Sequence, residues 1–246
     1  MKSYVELKTK FLKKITRKFF RLFSSLNWFE IIPPYEYVQT INEFNVHRYI
    51  GLERNQIASW VIVGGYLGNE VPRILRNYPN CKVTIFECSE RYLTKLRKRF
   101  INEPRVEIVG NAISDNNGRI EFFETNLKGS GSVLKVGDLA KSSFGMEQAE
   151  VFTVEAIRLD DYFKDKTLDV LQIDVQGAEL KVLKGAVKVL SRTKAIFCEI
   201  SVMPNLYQGS VTIDDLNKSL DESNFKLVLL GTDFNLTGNA LYVKSI

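Results

Sequence analysis

The chain holds one histidine, His47, in 246 residues, and only three cysteines, Cys81, Cys88 and Cys198. Cys and His never fall close together, so no ligand set with metal-binding spacing is present and no metal site is expected. The cysteines are odd in number, lack framework spacing and sit in or beside apolar runs. They read as buried or half-buried thiols in a reducing, cytoplasmic compartment. His47 alone reads as a packed or surface residue rather than a catalyst. No run approaches the ~18–20 apolar residues of a membrane-spanning helix. The basic N-terminus has no uninterrupted apolar core, which makes it a poor signal peptide.

Excess charge is also missing from most of the chain. Residues 1–30 hold eight Lys or Arg and two acids, and the rest holds 26 basic and 27 acidic residues, a net −1. The overall +5 therefore lies in one short segment. A nearly neutral body argues against a nucleic-acid-binding surface there.

Hydrophobic residues make up 45% of the sequence, enough for one large core. Residues 1–30 form a first region, 31–59 a linking region and 60–246 a single α/β domain. Within Lys10–Trp28, Phe11, Leu12, Ile15, Phe19, Leu22, Phe23 and Leu26 recur at three- and four-residue steps, with basic residues between them. This is the pattern of a helix with one apolar stripe and one cationic face. Such a helix either packs its stripe on protein or lies on an anionic membrane surface, such as the inner membrane face; a nucleic-acid arm is a third reading. Pro33-Pro34 ends it, and Thr40–Leu52 has a weak helical pattern.

From Trp60 onward, β-rich runs alternate with amphipathic ones. Strands are expected at Trp60–Val63, Lys82–Glu87, Arg105–Val109, Leu168–Asp174, Ala195–Ile200, Lys226–Leu230 and Asn239–Val243. Helices are expected from the turn after Val63 to about Arg76, and at Glu90–Phe100, Ala178–Leu190 and Ile213–Ser223. Arg119–Glu124 reads as a hairpin-like strand, Val151–Ala156 as an exposed strand and Gly129–Gln148 as a mobile loop without periodicity. The last two strands leave no room for a helix between them and should pair antiparallel. The expected architecture is α/β and Rossmann-like: a mostly parallel seven-stranded sheet, helices on both faces, and an antiparallel C-terminal hairpin.

Ligands in such sheets bind at the carboxyl ends of the strands, where strand order reverses. The first strand runs into Gly64-Gly65-Tyr66-Leu67-Gly68, a tight turn that lets backbone approach a ligand. The spacing is not the Gly-x-Gly-x-x-Gly of dinucleotide enzymes. Glu87 ends the second strand, about 20 residues on, where an acid accepts hydrogen bonds from both hydroxyls of a ribose. Asn111 and Ala112 follow the third strand where a nucleobase would lie, with Ile113 against its face. The fourth strand delivers Asp174 to the cleft, and Glu199 ends the fifth. Two carboxylates on adjacent strand ends can orient a hydroxyl, act as a base or share a cation. Their repulsion would push one pKa toward neutrality.

The stretches IDVQGAELKVLKGA (Ile173–Ala186), FECSE (Phe86–Glu90), NAISDNNGRIEF (Asn111–Phe122), VEAIRLDDY (Val154–Tyr162) and CEI (Cys198–Ile200) resemble the FkbM methyltransferase family over roughly residues 60–230. The resemblance implies a class I methyltransferase fold and S-adenosylmethionine as cofactor. It also implies O-methylation of a hydroxyl on a sugar, glycolipid or similar small acceptor. On that reading Gly64, Gly65 and Gly68 flank the methionine part, Glu87 and Cys88 border the ribose, and Asn111 and Ala112 border adenine. Ser130 or Ser132, in the loop Lys128–Lys135, touches the cofactor, as does Asp174. Asp174 and Glu199 face the acceptor as catalytic groups. The sequence departs from the family at Ile62 and Tyr66, where the first motif carries Asp and Asn, at Cys88 for Pro, and at Gln176 for Glu. Ile62 and Tyr66 support a second reading, a methyltransferase-like binding or scaffold module with a degenerate cofactor site. Oligomeric state is left open by the sequence.

Overall fold

A computed structural model describes residues 36–37, 45–201, 204–232 and 237–245. The amphipathic pattern within residues 10–28 and the Pro33-Pro34 turn lie outside these. The chain divides into two compact units, Met1–Glu36 and Tyr37–Ile246. The second carries the α/β sheet and its helices. The first strand in chain order, β1, is the two-residue Glu36–Tyr37.

Five parallel strands make the centre of the sheet: β2 (Ser59–Val63), β3 (Lys82–Phe86), β4 (Val106–Val109), β8 (Leu168–Ile173) and β9 (Thr193–Ser201). Two antiparallel strands follow, β10 (Phe225–Thr232) and β11 (Thr237–Lys244). The order is β10-β11-β9-β8-β2-β3-β4. Strand order reverses between β2 and β8, because the chain moves outward through β3 and β4 and then returns beside β2.

The pleat sends alternate residues of β2 to opposite faces. Val61 and Val63 join one apolar cluster, with Phe86, Leu171, Ile173 and Cys198. Trp60 and Ile62 join the other, with Val83, Ile85, Val170 and Ala195. Both faces are covered, which explains why these strands read as nearly unbroken apolar runs. On the Ile62 face lie α1 (Val71–Asn77) and α2 (Glu90–Arg99). On the Val63 face lie α4 (Leu159–Phe163), α5 (Glu179–Lys184), α6 (Val187–Leu190) and α7 (Ile213–Glu222). Thr212 and Asp215 close a capping box on α7.

Two expectations change. Ala178–Leu190 is not one helix but α5 and α6, broken at Gly185. A Cβ on Gly185 would stand 2.0 Å from the Ser114 carbonyl oxygen, so the break lets two backbones touch. Gly129–Gln148 is not an irregular loop throughout. It contains α3 (Asp138–Phe144), ended by Gly145 in the left-handed conformation, and its Val136, Ala140 and Met146 form a small apolar cluster with Leu206 and Tyr207, which follow β9. The hairpin-like strand and the exposed strand, which the sequence assigns to no sheet, form one of their own. β6 (Gly118–Thr125) and β7 (Gln148–Ile157) pair antiparallel in a second sheet, and β5 (Ala112–Ile113) pairs with β7.

His47 lies in a short helical turn, Val46–Tyr49, packed edge-on against Tyr78. All three cysteines are free thiols, Cys81 and Cys198 buried and Cys88 half-buried. Among the described residues no group of His, Cys, Asp and Glu is placed to hold a metal ion. No described helix is long and apolar enough to cross a membrane.

Candidate active site at the strand ends

The site opens where strand order reverses. Asp174 N–H donates to the Val63 carbonyl at 2.9 Å, tying the end of β8 to the end of β2. Gly64 has φ +87°, and a Cβ there would stand 1.7 Å from the Asp174 carbonyl oxygen. Only glycine lets these two strand ends meet. The Gly64 and Gly65 N–H groups both donate to the Phe86 carbonyl, at 3.0 and 3.1 Å. The turn therefore spends on holding β3 the donors that its glycine pattern suggests for a ligand.

A cleft lies over these ends, where ligands of such sheets bind. Gly64, Glu87, Cys88, Asn111, Ala112 and Asp174 all line it. Gly65, Gly68, Ser132 and Glu199 are not among its lining residues. Gly65 packs on Ile85 and Gly68 on Phe100. Ser132 Oγ donates to the Val175 carbonyl at 3.3 Å and accepts from Leu134 N–H. Its neighbours Gly131 and Val133 line the cleft instead. Ile62 is fully buried in the apolar cluster behind β2 and contributes nothing to the cleft wall.

Glu87 sits at the end of β3. Its Oε2 accepts from Tyr66 N–H at 2.7 Å and its Oε1 from Ser89 N–H at 2.8 Å. Burial, aided by nearby Glu124, pushes its pKa up to about 7 despite those donors. Glu124 in turn accepts from the Ser89 hydroxyl at 2.5 Å. Each carboxylate oxygen of Glu87 keeps a second lone pair for a further donor. The Cys88 thiol is pushed well up by burial and by Glu87, so it stays protonated and is no nucleophile.

At the other wall Gln176 links the two acids. Its Nε2 donates to Asp174 Oδ1 and to Glu199 Oε2, both at 2.7 Å. Gln176 has φ +56°, the left-handed backbone that turns its amide toward them. Its Oε1 lies 2.9 Å from the Tyr207 hydroxyl, which also lies 2.9 Å from the Ser130 carbonyl. One proton serves these two acceptors in turn. Burial and the neighbouring acids raise the Tyr207 pKa. Glu199 is thus joined to the site through Gln176. The carboxyl pushed up to about 7 on this side is Glu179, fully buried and accepting from Val175 and Gly177 N–H groups.

Sequence reading misses Tyr207, Tyr92 and the linking role of Gln176. Tyr207 follows β9 in a stretch with no periodicity, and Tyr92 falls on the apolar stripe of α2, where it reads as core. Gln176 is visible only as a departure from the family pattern.

An open sheet of this order, with a cleft at its reversal point and an acid at the end of the second central strand, is a Rossmann-like methyltransferase architecture. A putative rRNA methylase from Clostridium thermocellum shares the fold, with a TM-score of 0.50 at 10% identity, covering 84% of this chain and 98% of that one. A SAM-dependent methyltransferase from Aquifex aeolicus matches at a TM-score of 0.45 and 11% identity, over 82% of this chain and 88% of that one. The model of the FkbM methyltransferase domain matches residues 63–227, more than half of the chain, and the chain belongs to this family. The 2-O-methyltransferase NoeI of Sinorhizobium fredii (strain NBRC 101917 / NGR234) is 30% identical over 156 residues, spanning 59% of this chain and 64% of that protein. The matched region thus covers less than two thirds of that relative. Family membership makes methyl transfer from S-adenosylmethionine the class of chemistry for this domain.

Proposed function

We propose that the chain is an O-methyltransferase acting on a hydroxyl of a sugar, glycolipid or similar small acceptor. The observation that carries the reading is one cleft lined by Glu87, Asn111 and Asp174, each at the end of a different strand. The relative NoeI, named a 2-O-methyltransferase, supports oxygen as the accepting atom.

The residues fit S-adenosylmethionine. Glu87 has free acceptor capacity for ribose hydroxyls, Asn111 and Ile113 border space for a base, and Gly64 leaves the turn open at the β2 end. When bound, the cofactor supplies an electrophilic methyl group for in-line displacement. The chain's own work is to position, to exclude water and to take a proton. Asp174 is exposed at the cleft wall and is the group we assign to accept or orient the acceptor hydroxyl. Gln176 donates to the Asp174 carboxylate and to that of Glu199, so the two acids are linked through one amide, with Asp174 on the cleft wall. Val133, Phe122 and Val175 give the cleft apolar wall that favours desolvation of the reacting oxygen.

The test is methyl transfer from labelled S-adenosylmethionine to a panel of free sugars, lipid-linked sugars and glycolipids, with products read by mass spectrometry. The expected result is one methyl ether on a sugar hydroxyl, lost in Asp174→Asn. Label on nitrogen or carbon, or on no acceptor in the panel, contradicts the acceptor reading.

A further inference from the structure

Tyr66 is the residue in the cleft that its backbone least explains. It follows Gly64-Gly65 with φ +46°, a left-handed conformation rare for a bulky side chain. Such outliers persist where the surroundings enforce them, and they concentrate at ligand sites. Here the enforcement is visible. Tyr66 N–H donates to Glu87 at 2.7 Å. Its ring meets Tyr92 edge-on, with centroids 4.6 Å apart. Gly129 lies against the ring, where a Cβ would stand 3.2 Å from two of its carbons, and Gly129 N–H donates to the Tyr92 hydroxyl at 3.2 Å. The half-buried ring is thereby fixed as part of the cleft wall.

The cofactor assigned to this cleft carries a positive sulfonium. Glu87, which accepts from two backbone N–H groups, is assigned to the ribose hydroxyls, and Asp174, which accepts from Gln176, to the acceptor hydroxyl. Where the family's first motif carries an acid, this chain has Ile62, buried behind the strand. Of the two tyrosines on the wall, Tyr92 already has Arg91 and Lys95 over its ring, at 5.7 and 5.5 Å. Tyr66 lies in the turn after β2, and Asn111 follows β4, two strands away in the sheet. An aromatic ring in that place attracts a cation through its quadrupole.

We propose that Tyr66 is a specificity-determining residue whose ring recognises the sulfonium of S-adenosylmethionine and so favours it over the neutral product. This role rests on the cofactor reading of the cleft. It carries a signature that a packing role lacks: removing the ring weakens cationic ligands and spares the neutral one. S-Adenosylhomocysteine keeps the ribose, base and amino-acid ends, so comparing the two ligands isolates the sulfonium.

The experiment is calorimetric titration of the full chain with S-adenosylmethionine, S-adenosylhomocysteine and sinefungin, which carries an ammonium near the sulfonium position. The proteins are wild type, Tyr66→Phe, Tyr66→Leu and Tyr66→Asn. Asparagine tolerates the left-handed backbone, so Tyr66→Asn keeps the turn if leucine unfolds it. Leu and Asn should lower affinity for the two cationic ligands about three- to thirtyfold relative to S-adenosylhomocysteine, while Phe keeps the wild-type ratio. An unchanged ratio in Tyr66→Asn overturns the proposal and leaves the cofactor reading standing. Absence of binding of any of the three to wild type overturns the cofactor reading itself.

Discussion

Glu87 and Glu179 hold protons that their unfolded counterparts release near 4.5, because burial raises both to about 7. Between those values the folded chain binds more protons than the unfolded one, so stability falls as pH rises from about 4.5 to 7 and levels off above. Urea titrations across that range should show the decline, with a smaller slope in Glu87→Gln. Ligand binding runs the other way. Ribose hydroxyls bond more strongly to ionised Glu87, so affinity for S-adenosylhomocysteine should rise up to about tenfold from about pH 6 to about pH 8. A flat profile in wild type would contradict the assignment of Glu87. Asp174→Asn should lower methyl transfer by about 10²–10⁴ and leave S-adenosylhomocysteine affinity within about tenfold. Residues at strand ends are legible because the alternation of strands and helices fixes where each strand stops. Gly64, Glu87, Asn111 and Asp174 follow from that rule alone. Ser132 and Tyr207 do not, since the placing of loop residues depends on contacts between segments far apart in sequence, such as Tyr207 with Ser130.

At the scale of elements, β2 decides which departures from the family matter. Ile62 faces the apolar cluster behind the sheet, so Ile62→Asp should bury an unpaired carboxylate. It should cost about 3–5 kcal/mol in urea unfolding, with no gain in cofactor affinity. The loop before α3 and the segment after β9 are stitched to each other. Gly137 N–H donates to the Leu206 carbonyl, Gln208 N–H to the Lys135 carbonyl, and the Tyr207 hydroxyl reaches Ser130. Tyr207→Phe should cost about 0.5–1.5 kcal/mol and release Gln176 from one partner. Faster proteolysis within residues 126–137 would report that loosening. The main strands and the long amphipathic helices α2 and α7 are legible from periodicity. The helix break at Gly185 is not, because it answers to Ser114, a residue distant in sequence. The second sheet is not legible either: β6 and β7 show alternation, but alternation does not say which sheet a strand joins.

For the whole molecule, the separation of charge is the most distinctive feature: a basic segment of 30 residues on a nearly neutral body. Packing of the apolar stripe on protein and binding to an anionic membrane surface are the two leading readings of residues 1–30. On the membrane reading, full-length protein pellets with anionic vesicles and a form lacking residues 1–30 stays in the supernatant; equal pelleting contradicts that reading and favours packing. The methyltransferase class is legible from motifs in the right order, while the acceptor is not, since none of the motifs specifies it. Cofactor binding, proton acceptance by Asp174 and sulfonium recognition by Tyr66 all depend on one property, a cofactor site at the ends of β2, β3 and β8. Calorimetric titration of the full chain with S-adenosylhomocysteine at about pH 8, where Glu87 is ionised, tests it most directly. Saturable heat with one site per chain, abolished in Glu87→Ala, is the expected result. No heat at high micromolar protein would contradict it.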